Sequence, residues 1–348
     1  MKIVYLFFTC FLFMITCVEQ TEVKEPASQA PYMMTVLGKV DTARMGVSLI
    51  HEHITTDFIG AEKVDQPQYE QQQAIDTILP YLLKAKGQGV ETLVECTPSY
   101  IGKDVRLLRK LSELSGINII TNTGYYAARE YKFIPKHAFT ESADEIAARW
   151  LKDWEEGIDG TEIRPGFIKL GVGKGALDSL EEKLLLAAIQ VHKKSGLPIA
   201  VHTGDGAAAQ SEFDIVTREQ LNSNALIWVH AQNGTDDERV RLAQKGVWIS
   251  LDGIALSRIT QYLSSVQTLK KAGLLSRTLI SHDDGWSVEQ TETGIDLQLF
   301  GNGNGQPYST IHQQFLDSLG AIGFTSAEID TLMRLNPRQA MMLRHVDK

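Results

Sequence analysis

Two imidazoles stand two residues apart in His51-Glu52-His53. In an extended chain such positions face the same way, so the pair can close on one divalent ion. A lone His-x-His is often an accident of a surface loop, but three later segments repeat the theme. Ile199-Ala200-Val201-His202 and Ile227-Trp228-Val229-His230 each end an apolar run on a histidine, and Leu279-Ile280-Ser281-His282-Asp283 ends one on an aspartate. Neutral imidazole and carboxylate are the donors that zinc, manganese and cobalt prefer. Strand alternation should turn His282 away from its neighbour Asp283. His137, His192, His312 and His345 fall in helices or away from strand ends and read as ordinary structural residues.

Lys169 is the remaining chemical candidate, the one cation in the apolar stretch Phe167-Ile168-Lys169-Leu170-Gly171. A buried ammonium without a partner is costly and tends to lose its proton. A neutral amine facing two metal ions can take up CO₂ as a carbamate and become an anionic bridge. The plainer alternative is a lysine paired with a carboxylate on the rim.

Residues this far apart in sequence meet only if the fold gathers strand ends. From residue 46 onward short apolar runs alternate with segments of helical period, the pattern of repeated βα units. Strands are expected at Gly46–Ile50, Val90–Glu95, Ile117–Thr121, Gly166–Leu170, Pro198–Val201, Ala225–Val229, Val247–Leu251 and Arg277–Ser281. Gly116, Gly196, Gly246 and Gly273 follow the intervening helices, where a left-handed stop suits glycine. An open doubly wound sheet would place a Gly-rich phosphate loop after its first strand, and His51-Glu52-His53 stands there instead. The expected fold is α/β, a (β/α)₈ TIM barrel, whose sites lie where the strands end.

The 348-residue length suits one such barrel, and 43% hydrophobic with 22% charged residues is the composition of a globular chain. A formal charge of -9 with no Lys/Arg cluster argues against nucleic acid as a partner. Met1-Lys2 precedes an apolar run from Ile3 to Thr16 and then acidic, polar sequence, the order of a secretory signal. Residues 1–17 are therefore expected to be a signal peptide, 18–34 a flexible tether and 35–348 the catalytic domain. Met14-Ile15-Thr16-Cys17 resembles a relaxed lipobox, so lipid anchoring to a membrane at Cys17 and an exported, periplasmic or cell-surface location are expected. A plain signal peptide and an uncleaved anchor are the alternatives. Of the three cysteines only Cys96 lies in the body of the domain, so no disulfide forms within it and no thiolate set holds the metal.

The order His-x-His, Lys, His, His, Asp at successive strand ends resembles the phosphotriesterase family of the amidohydrolase superfamily. The likeness runs from about Thr35 to Leu343 and includes Val36-Leu37-Gly38, Gly46 to His53, Thr123-Gly124 and Asn336-Pro337-Arg338. It implies a centre of two divalent ions, zinc by expectation. His51, His53 and Asp283 would hold the buried ion, His202 and His230 the outer one, and carboxylated Lys169 would bridge them. A water between two such ions loses its proton near neutral pH, and the resulting hydroxide attacks an ester while Asp283 accepts the proton.

Substrate contacts come from loops and are harder to read. Triesterase-like members carry an Asp three residues after the sixth-strand His and a His after the seventh strand, where this chain has Asn233 and Gly253; lactonase-like members carry an Arg at the second of these positions. Tyr126 stands where lactonase-like members cap the metal site, which favours a small-molecule lactone or carboxyl ester. The stretch from Gly285 to Gln306 is expected to act as a lid or specificity element, offering Trp286 to the substrate. Organophosphate esters, and the C–N bonds of N-acyl compounds as an amidohydrolase would cleave them, stay open as alternatives, and a homodimer is a further expectation. A non-catalytic surface binding lipoprotein would show broken ligands, and none is broken.

Overall fold

A computed structural model of the chain describes residues 1–2, 31–64, 66–292, 294–301 and 305–343. Cys17, the apolar run and the tether up to residue 30 lie outside the described residues. At the end of the expected tether, Tyr32–Thr35 pairs antiparallel with Gly38–Asp41, and Met33 and Met34 are buried.

Eight parallel strands form the barrel: β1 Val47–Glu52, β2 Val90–Glu95, β3 in two pieces at Asn118–Ile120 and Asn122–Thr123, β4 Phe167–Val172, β5 Ile199–Thr203, β6 Leu226–Val229, β7 Trp248–Asp252 and β8 Thr278–Ser281. Each pairs with the next in sequence from β1 to β8. The seam between β8 and β1 closes without a regular ladder. Ser281 Oγ accepts from His51 N at 3.0 Å, and Asp283 N donates to His51 O at 3.1 Å. All eight strands fall where sequence placed them, with one informative shift: β1 runs through Glu52, so His51 is held by the strand itself.

Why the strands are strands is visible in their burial. All six residues of β4 are buried, as a strand covered on both faces must be. Inward-facing Ile50, Val94, Ile120, Phe167, Ala200, Ile227, Val229 and Leu279 make one apolar cluster that floors the barrel, closed from below by Met33, Met45, Ala340 and Met341. The outward residues pack under α1 Gln71–Gly87, α2 Val105–Ser115, α3 Ala143–Glu156, α4 Ser179–Ser195, α5 Gly206–Arg218, α6 Asp236–Gln244 and α7 Ile259–Lys271. Local signals set the helix ends. Ser142 with Glu145, Asp178 with Glu181 and Thr235 with Glu238 form capping boxes at α3, α4 and α6.

The C-terminal segment brings His312 near His282. Burial lowers the pKa of both to about 4, whereas an unfolded histidine titrates at about 6.5. Between those values the unfolded chain binds more protons, so stability is fully present above about pH 6.5 and falls as the pH drops towards about 4. Both ring nitrogens of His312 lack a hydrogen-bond partner among the described residues, so His312→Leu removes the titration without stranding a donor. The variant is expected to hold its Tm a few °C better across this acid window. Superimposable curves of Tm against pH would show that His312 contributes nothing.

Candidate metal centre

The chemistry-bearing side chains converge at the C-terminal mouth of the barrel. His51 Nε2 lies 3.4 Å and His53 Nε2 3.1 Å from Asp283 Oδ1, and the three ligand atoms fall within 4.8 Å of one another. The edge of a tetrahedron built on metal–ligand bonds of 2.0–2.1 Å is about 3.4 Å, so the three are spaced as ligands of one ion. His202 and His230 stand beside them with ring centroids 4.3 Å apart, and His230 is 5.0 Å from His51.

Two of these residues sit on strained backbone. His230 has φ 60° and Asp283 φ 64°, a left-handed region that costs a non-glycine residue free energy and persists where the surroundings enforce it. The reason at β6 is alternation: Ile227 and Val229 face the barrel interior, so His230 would face out if the strand continued. The left-handed residue ends the strand and turns the imidazole back to the centre.

Electrostatics suit ligation. Burial, outweighing Asp252 and Asp283, lowers the His51 pKa to about 4. Burial also holds His202 well below the ordinary imidazole range, helped by His230 and Lys169. Both are thus neutral donors. Burial raises Asp283 but the neighbouring histidines outweigh it, so its pKa is lowered and it stays a carboxylate. Lys169 is only 2% exposed, and burial depresses its pKa against the pull of Cys96, Asp252 and Asp283. Among the described residues its Nζ has one hydrogen bond, to Leu170 O at 3.3 Å, which leaves the amine open to further chemistry.

Two glycines set this geometry. A Cβ on Gly124 would stand 2.2 Å from Lys169 O, and one on Gly171 would stand 2.3 Å from the Tyr126 ring. Tyr126 therefore lies against the end of β4, with its hydroxyl 3.0 Å from His202 Nε2. Tyr126 thus stands beside the histidine cluster.

Residues 31–341 match the sequence profile of the phosphotriesterase family. The chain belongs to the phosphotriesterase family. It is 27% identical over 304 residues to the phosphotriesterase homology protein of Escherichia coli, covering 84% of this chain and 97% of that one. It is 24% identical over 351 residues to the N-acetyltaurine hydrolase of Rattus norvegicus, covering 88% and 97%. Its fold superimposes on the organophosphorus hydrolase from Deinococcus radiodurans with a TM-score of 0.77 at 25% identity, covering 91% and 98%. Members of the phosphotriesterase family are metal-dependent hydrolases, and the His/Asp groups of this member can hold metal.

Three features of this phosphotriesterase-family site escaped the sequence. Asp252, last residue of β7, places Oδ2 3.0 Å from His51 Nδ1 and Oδ1 2.5 Å from His230 Nδ1. It also accepts from His230 N at 3.0 Å. Burial raises its pKa, but His230 and His51 on either side win and hold it well below the usual carboxylate range. One carboxylate thus orients two histidines from different strands, as partners of metal-binding imidazoles commonly do. The signal existed, an apolar run ending in an acid, and Gly253 beside it drew the attention.

Glu52 is the second. Its carboxylate, buried between the two histidines of the motif, accepts from Ser281 Oγ at 2.6 Å, His282 N at 3.0 Å, His282 Nδ1 at 2.8 Å and Asp284 N at 2.9 Å. This fixes the chain on both sides of Asp283. His282 accepts from Ile311 N at Nε2, so it faces away from Asp283 as alternation requires.

The third corrects Trp286. It is 2% exposed and packs between Tyr81 and Tyr308, at 5.5 and 5.6 Å, so it is core rather than substrate surface. The expected lid is a hairpin, Gly285–Thr291 with Gly294–Phe300. Its Phe300 faces the site instead, 5.7 Å from His53.

Proposed function

We propose that this protein is a two-metal hydrolase of carboxyl esters, lactones or organophosphate esters, exported and anchored through Cys17. The observation that carries the hydrolytic reading is the meeting of His51, His53 and Asp283 with His202 and His230 around the buried amine of Lys169. His51, His53 and Asp283 would hold one ion, and His202 with His230 the other. Lys169 Nζ would add to CO₂, forming an N–C bond and releasing a proton to solvent, and the carbamate would supply the shared anionic ligand. Such ions, zinc in our reading, supply Lewis acidity and make a bound water acidic near neutral pH.

The chain's own residues do the rest. Asp283, ionised and 28% exposed on its side chain, faces the cleft and takes the proton that the attacking water gives up. Tyr126, bonded to His202, presents its phenol at the mouth where a substrate carbonyl or phosphoryl oxygen enters. Phe300 and Phe58, 5.8 Å apart, wall the opposite side and keep water from the reacting bond. Neither Asn233 nor Gly253 can relay a proton outward, which sets this site apart from a triesterase-like arrangement. An amide is the second reading, favoured by the likeness to an N-acetyltaurine hydrolase.

The test is metal analysis with a substrate screen. Protein produced with zinc or manganese is expected to hold about two ions per chain and to hydrolyse at least one lactone, aryl ester, organophosphate or N-acyl compound, with activity abolished by a chelator and restored by the metal. Metal-free, inert protein would sink the proposal and favour a binding role. Amide turnover alone would select the second reading.

A further inference from the structure

The third loop continues past Tyr126 through Arg129, Glu130 and Tyr131, whose φ values are 60°, 56° and 60°. Three consecutive left-handed residues other than glycine are costly, and such strain persists only where contacts over-determine it. The contacts are present. Ala127 N and Ala128 N both donate to Gly171 O, at 2.8 and 3.2 Å, and Ala61 N donates to Lys132 O at 3.0 Å. The Tyr131 hydroxyl bonds Asp178 at the start of α4.

This turn fixes where Arg129 goes. Its guanidinium lies close enough to the Tyr126 hydroxyl to lower that phenol's pKa against burial and stands 5.8 Å from the Phe58 ring centroid. Tyr126 touches His202, and Phe58 stacks on Phe300, which touches His53. Arg129 therefore spans the mouth between the two walls of the metal cleft, exposed to solvent. No carboxylate forms an ion pair with it among the described residues, its neighbour Glu130 included. A guanidinium has five donors in a plane suited to a carboxylate, sulfonate or phosphate ligand.

We propose that Arg129 is an anion-recognition subsite, so that the substrate carries a carboxylate, sulfonate or similar anionic group apart from the bond that is cleaved. This rests on the hydrolase reading above and names its substrate class. The neutral rings of Phe58 and Phe300 then cover the apolar linker between the anionic group and the reacting bond.

Matched pairs test it on the zinc-loaded protein: monomethyl glutarate against dimethyl glutarate, and N-acetyl-β-alanine against its uncharged amide. In at least one pair kcat/KM for the anionic member is expected to exceed that for the neutral one by about tenfold or more. Arg129→Gln should collapse that ratio towards one, and Arg129→Lys, which keeps the charge without the planar fork, should keep part of it. A ratio near one in wild type overturns the inference, as does an Arg129→Gln variant that slows both members equally, since Arg129 would then act only by positioning Tyr126. Turnover of neutral lactones or aryl esters with none of the anionic compounds overturns it and leaves the hydrolase reading standing. No turnover of any of these compounds or of an organophosphate sinks both.

Discussion

Asp283→Asn is expected to lower kcat/KM by a factor of about 10² to 10⁴ on whatever substrate the screen identifies. The substitution keeps the shape and is chosen for the backbone: at φ 64° asparagine is among the few side chains that tolerate the left-handed region. What it removes is a charge that the surroundings are built to keep. His51 and His53 approach Oδ1 at 3.4 and 3.1 Å, and their influence holds the pKa down despite burial. An amide there can neither accept a proton nor bind an ion as a carboxylate does. The thermal midpoint of the metal-free protein should move by no more than a few °C, because the bonds that hold this turn run to Glu52 and the backbone rather than to the Asp283 side chain. Near-wild-type kcat/KM would refute the role, and a collapsed melting curve would show that the residue is structural.

Asp252→Asn should weaken metal retention by about 10-fold to 100-fold, and at both halves of the centre together. The reasoning is geometric. Oδ2 faces His51 Nδ1 and Oδ1 faces His230 Nδ1, so each imidazole is set with Nε2 forward by the same carboxylate. An Asn offers one acceptor and one donor in place of two acceptors, so one of the two histidines must lose its partner or flip. Chelator competition followed by metal analysis reads the effect without relying on turnover. Loss of one ion with the other held at wild-type affinity would show that Asp252 serves a single histidine. Asp252→Ala, which strands two buried imidazole donors, is expected to cost about 3 kcal/mol or more of stability besides.

Strand positions and the meeting of His51, His53, His202, His230 and Asp283 at one mouth were legible because they depend on short-range patterns: a β-branched run buried on both faces, then a histidine or aspartate at its end. His202 and Lys169 lie where period-two alternation puts them. His230 reached the centre only through a left-handed turn that no propensity announces, so its assignment depended on the company it kept. Asp252 and Glu52 were hidden for another reason. Their work is done through contacts to residues as much as 232 positions away, and an acid in sequence looks the same whether it meets solvent or a buried imidazole. Trp286 was misread because the hairpin following β8 gives successive residues opposite faces; an aromatic near a site belongs to the core or the cleft according to a strand register that the sequence does not announce.

The pair of glycines under Lys169 and Tyr126 bears on how such a site could diversify. With Gly124 flush against the β4 backbone and Gly171 beneath the tyrosine ring, the third loop and the fourth strand behave as one rigid piece. A side chain at Gly124 would press on the Lys169 backbone and one at Gly171 on the Tyr126 ring, so drift there is closed off. In the eighth-strand hairpin the tip carries no such lock: Gly294 has open space around the position of a Cβ, whereas Gly285 at the base is packed against His53. New substrate ranges on this scaffold should therefore arise by lengthening or rewriting that hairpin, while the wall formed by Tyr126 is inherited unchanged.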